Sequence, residues 1–117
     1  MHQYKELKLW QKAMNLVTEL YKEIRNFPTS ERFGLSMQMQ RSAVSVPSNI
    51  AEGAGRNTKA DFAKFLDISQ GSLNELETQL ILAQRLGFID MTKVSKMQVE
   101  INELQKMNYK LIHSLRK

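Results

Sequence analysis

Two histidines, His2 and His113, are the only imidazoles in the chain, and cysteine is absent. A di-iron centre in a helical bundle needs Glu-x-x-His pairs projecting inward. The residue three before His113 is Lys110, and His2 stands next to the first residue, so both read as surface histidines. The lack of cysteine removes disulfides, thiolate nucleophiles and Cys-ligated zinc or iron–sulfur sites. The serines cluster on one helical face around Ser42, Ser45 and Ser48, far from either histidine and without a nucleophile elbow, which is no setting for a serine triad. The run Gly53-Ala54-Gly55-Arg56-Asn57-Thr58 at a helix start offers backbone N–H groups to an anion. It lacks the Gly-Lys-Ser/Thr of a phosphate loop and follows no strand, which favours a plain helix–helix turn. Glu75 and Glu77, two apart on a helix, diverge and do not face each other. The expectation is a protein without catalytic residues, metal or cofactor.

Charge is the more informative chemistry. Among 117 residues, 17 Lys and Arg stand against 12 Asp and Glu, a net charge of +5. Residues 91–117 hold six basic and two acidic groups, whereas residues 58–90 are net acidic. On a helical wheel Lys106, Lys110 and Lys117 fall within about 40° of one another, opposite the apolar seam. Such a patch could bind phosphates. Alternatively it is a solvated face balanced by the helically spaced pairs Lys96–Glu100 and Glu103–Lys106. Arg41 and Arg56 are further candidate phosphate contacts.

These side chains need elements to position them, and periodicity predicts an all-α chain. Only five Gly and two Pro interrupt it. Trp10, Ala13, Val17, Leu20 and Ile24 form the stripe of a first helix that ends near Asn26, before Phe27-Pro28. Thr29 or Ser30 is expected to cap a second helix carrying Leu35, Met39, Ala43, Val46 and Ile50, kinked at Pro47 and broken at Gly53-Ala54-Gly55. Thr58 caps a third, with the seam Phe62, Leu66, Ser69, Leu73, Leu76, Leu80 and Ala83, closed by Gly87. Asp90 or Thr92 caps a fourth, with the seam Val94, Met97, Ile101, Leu104, Asn108, Leu111 and Leu115. Four helices of about 20–28 residues with short connections predict one domain over residues 1–117, an up-down-up-down antiparallel four-helix bundle. The longest uncharged stretch, residues 42–51, is far short of the ~20 residues needed to span a bilayer. No apolar signal core follows Met1, so a cytoplasmic location is expected.

Ile68, Gly71, Leu82 and Leu86 fall roughly 120–160° from the centre of the third helix's seam. They form either a wide core face or a subunit interface, and Gly71 suggests close backbone approach, because an interior glycine costs about 1 kcal/mol relative to alanine. Asn49, Glu52 and Arg56 share a helical face, and with Glu75 and Gln79 they are expected to form a polar cluster. That cluster would fix the kink and the turn, or contact a ligand or nucleic acid. The small residues Ser42, Ala43, Ser45, Ser48 and Ala51 allow close helix approach, and a serine hydroxyl could satisfy the Ala43 carbonyl freed by Pro47.

The string from Ser42 to Gly53, SAVSVPSNIAEG, with Arg56, is specific. Taken with Phe27-Pro28, Glu31 and Gly34-Leu35, Phe62 with Phe65-Leu66, and residues 71–77, GSLNELE, it resembles the 23S rRNA intervening-sequence protein family of bacterial four-helix bundles. The resemblance covers residues 4–115. It implies a homopentamer, encoded in some bacteria within insertions in large-subunit rRNA genes. It also implies similarity to the accessory bundle protein of diversity-generating retroelements, which is basic and works with nucleic acid and a reverse transcriptase. Gln40-Arg41 stands where the family often has two adjacent arginines. The family names no activity. The leading expectation is therefore a non-catalytic oligomer that binds RNA or DNA weakly and without sequence preference. The alternative is a protein-interaction scaffold whose charge serves solubility. A continuous basic surface would favour the first, and scattered cations beside an exposed apolar groove the second.

Overall fold

Local chemistry sets where each helix starts and stops. The computed structural model describes residues 3–117, so His2 lies outside the described residues. It contains α1 (Lys8–Ile24), α2 (Leu35–Ala54), α3 (Lys59–Arg85) and α4 (Met91–Leu115), with single 3-10 turns at Tyr4–Glu6 and Thr29–Glu31. At the start of α3 the Thr58 hydroxyl accepts from Asp61 N at 3.1 Å, and at the start of α4 Asp90 Oδ1 accepts from Lys93 N at 2.9 Å. Each bond satisfies one of the N–H groups a helix start leaves free. The far end of α3 closes with Gly87 at φ +80°, where Phe88 N donates to Ala83 O and Gly87 N to Gln84 O. That is a Schellman arrangement, which a left-handed glycine makes accessible.

The second helix starts later than its cap residues suggest. Thr29 and Ser30 belong to the 3-10 turn, and α2 begins at Leu35 behind Gly34. The missing cap comes from the preceding turn: Glu31 Oε1 accepts from Leu35 N at 3.2 Å. The helix then runs unbroken through Pro47 and through Gly53 to Ala54. The expected break at Gly53-Ala54-Gly55 is there, with Gly53 and Ala54 as the last helical residues and Gly55 as the C-cap. A Cβ on Gly53 would lie 2.7 Å from Phe65 Cβ and 2.9 Å from Phe62 Cδ1, so the absence of a side chain lets α2 lie directly against α3 at this point.

Side-chain pairs fix how the helices lie. Lys12, Glu19 and Glu23 of α1 pair with Glu103, Lys96 and Lys93 of α4, so one number rises as the other falls. Between α2 and α3, Ser69 Oγ donates to Val46 O at 2.9 Å and Ser72 Oγ to Ser45 Oγ at 2.8 Å, while Gly53 meets Phe62 and Phe65. Between α3 and α4, Asp67 pairs with Arg116 and Asn74 with Gln105. These three pairs run antiparallel, and it follows that the fourth neighbouring pair, α1 and α2, does too. The hydroxyl that serves the proline stretch thus comes from α3 and reaches Val46, instead of a serine of α2 reaching Ala43.

The seams of α2 and α3 are buried as their spacing predicts. The seam of α1 is rotated: Leu9 and Leu16 are inside, while Trp10 and Val17 are half-buried at its edge, because α1 must face both α2 and α4. In α4, Ile112 is buried and Leu111 and Leu115 are only partly so. Asn108 is buried among apolar residues, its amide donating to Leu66 O at 2.9 Å and Gln70 Oε1 at 2.8 Å. A buried amide tied to one partner carbonyl is a device for fixing register between two helices. No helix among the described residues is long and apolar enough to cross a membrane.

Candidate nucleic-acid interface

The antiparallel registers bring the start of α1, the end of α2, the start of α3 and the end of α4 to one end of a bundle 44 Å long. Lys106, Lys110 and Lys117 all lie there, exposed, although Lys117 is beyond the last turn of α4 and so outside the wheel that groups it with the others. Arg56, in the α2–α3 turn, is at the same end. Its guanidinium is 3.4 Å from Glu52 and 4.7 Å from the centre of the Phe65 ring. Arg41 is apart from them, exposed on α2 beside Tyr21 and Val44 and away from the α2–α3 turn.

Sequence spacing misses most of this end. Lys5 and Lys8 arrive from the start of the chain, and Lys59 and Lys64 from the start of α3. With Arg56, Lys106, Lys110, Arg116 and Lys117 they make nine cations, against the four acids Glu6, Glu52, Asp61 and Asp67. The eight remaining cations are matched in number by eight acids. The whole net charge of +5 therefore resides at one end. The helical order together with antiparallel packing could have found it, by adding the charges at the helix ends that such packing brings together.

The lysines of this end are also less neutralised than their spacing suggests. Lys96 pairs with Glu19 and Glu103 with Lys12, both across to α1 and neither within α4. Among the described residues Lys106, Lys110 and Lys117 enter no ion pair, whereas Arg116 is held by Asp67, whose hydrogen bond raises the guanidinium pKa further. At the other end, the hydrogen bond that Lys93 donates to Glu23 raises the Lys93 pKa.

The expected polar cluster does not assemble. With Val46 opposite Ser69 and Ser45 opposite Ser72, Glu75 and Gln79 lie beside the start of α2, in a groove with Leu35 and Gln38. Asn49 instead donates to Ser45 O at 2.8 Å and Ser45 Oγ at 2.9 Å on its own helix, and Arg56 turns to Glu52. The α2–α3 turn sets this register, and the wheel of a single helix does not carry it.

The second stripe of α3 is open. Ile68, Leu82 and Leu86 are 51%, 46% and 54% exposed, and a Cβ on Gly71 would meet nothing within 4 Å. Gly71 thus has no close neighbour within the chain. α4 packs on the polar flank of α3, through Asp67, Gln70 and Asn74, and leaves the apolar stripe uncovered.

None of the curated proteins compared with the chain matches it. The fold is similar to that of a crystal structure of a protein with unknown function from the S23 ribosomal protein family of Bacteroides thetaiotaomicron VPI-5482. The two are 24% identical with a TM-score of 0.83, over 90% of this chain and 95% of that one. The family model described as 23S rRNA-intervening sequence protein matches residues 5–110, and the chain belongs to that family.

Proposed function

We propose that the protein is a non-catalytic, cytoplasmic bundle that assembles with copies of itself and binds nucleic acid through its basic end without reading sequence. The observation that carries this reading is the confinement of the +5 net charge to one end of the molecule. Clustered cations attract a polyanion by releasing condensed counterions, a term indifferent to base sequence. Self-assembly, a pentamer by the family resemblance, is supported by the open stripe of Ile68, Gly71, Leu82 and Leu86. An oligomer would present several basic ends together.

Changing Lys106, Lys110 and Lys117 together to Gln tests the binding. Each lost phosphate contact should lower the log–log salt slope by about 0.7–0.9, for DNA and RNA alike, with helicity unchanged. A triple variant that binds as the parent does would move the role to the competing reading, a protein-interaction scaffold. One feature favours that reading: the groove between α2 and α3 lined by Leu35, Asn74, Thr78, Gln79 and Leu82.

A further inference from the structure

Tyr109 falls roughly 100° from Lys110 on the wheel, which argues against base stacking on the lysine patch. The structure changes that picture. Tyr109 is 65% exposed at the basic end, and its ring lies 6.4 Å from that of His113, one turn on, with the planes 15° apart. The two rings form a nearly parallel, solvent-facing pair. On the wheel of α4, Lys106 and Lys110 lie on one flank of Tyr109 at roughly 60° and 100°, and neither enters an ion pair among the described residues. Aromatic faces thus stand beside unpaired cations on a surface that carries the molecule's net charge.

We infer that the Tyr109–His113 pair is a base-stacking platform and that the basic end takes single-stranded nucleic acid in preference to duplex. This rests on the nucleic-acid reading above and specifies its ligand. A duplex keeps its bases stacked on one another and offers this surface its phosphates. In a single strand the bases can splay onto exposed rings while neighbouring cations hold the backbone. Every base has a π-face, so the platform adds affinity without adding sequence preference.

The test compares three labelled probes of equal length at low salt: a single strand of mixed sequence, the same strand with abasic sites, and a duplex. The parent should bind the base-bearing strand most tightly. Tyr109→Ala should weaken that strand by roughly 5- to 150-fold, the range for loss of one stacked base, and change the other two probes less than twofold. Tyr109→Phe should retain parental binding, and circular dichroism should show equal helicity for all variants. The inference is overturned if Tyr109→Ala leaves the base-bearing strand unaffected, or if it weakens all three probes equally. A parent that binds all three probes equally overturns the stacking platform alone. A parent that binds none overturns the nucleic-acid reading with it.

Discussion

A methyl group placed on Gly53 would press on Phe65 and Phe62, whereas one on Gly71 would stand in open space. Gly53→Ala is therefore expected to destabilise the fold by about 1–3 kcal/mol, the cost of overpacking a tight contact. Gly71→Ala, measured on the dissociated chain, is expected to stabilise it by up to about 1 kcal/mol through helix propensity. Denaturant unfolding of both variants checks the pair, and shifts in the same direction would contradict the packing described. Glu100 of α4 is half-buried beside Glu19 of α1. Burial first, and then the neighbouring Glu19 carboxylate, raise its pKa above the ordinary 4.5. The folded chain therefore takes up this proton more readily than the unfolded one, and the group opposes folding when ionised. Glu100→Gln should be more stable than the parent at neutral pH, and the advantage should shrink as the pH falls towards 4.5. Thermal unfolding of both proteins across that range measures it, and an advantage independent of pH would contradict the assignment.

Among the elements, α3 was the most legible from sequence, because its start at Thr58, its stop at Gly87 and its seam are all written within a few residues of where they act. The start of α2 was not, since its capping carboxylate, Glu31, sits four residues back in a separate turn. Spacing misplaces the ion pairs of α4 for a related reason: i,i+4 spacing permits Lys96–Glu100, but packing against α1 offers Lys96 a partner in Glu19. The open face of α3 leads to a prediction about assembly. Leu82 is 46% exposed in the single chain, so Leu82→Glu leaves the bundle folded but puts a charge into any apolar contact between copies. The variant should sediment as a helical monomer where the parent is an oligomer. A parent that is monomeric at micromolar concentration would remove self-assembly from the account.

At the scale of the whole molecule, the order of four helices is legible along the chain, but the place where their charges meet emerges only once antiparallel packing is added, because Lys8, Lys64 and Lys106 are far apart in sequence and come to one end only through the antiparallel registers. The same registers separate Glu75 and Gln79 from Asn49, and leave Arg41 outside the basic end. On the proposed reading, where the charge sits, beyond how much of it there is, determines nucleic-acid binding. The direct measurement is a salt titration of binding for two variants that lose equal charge at opposite ends. One carries Lys106, Lys110 and Lys117 as Gln, and the other carries Lys22, Arg25 and Arg85 as Gln, cations near the α1–α2 and α3–α4 connections. The first should lose affinity and about 0.7–0.9 of log–log slope per contact, and the second should bind as the parent does. Equal losses in the two variants, or no binding by the parent at low salt, would contradict the account.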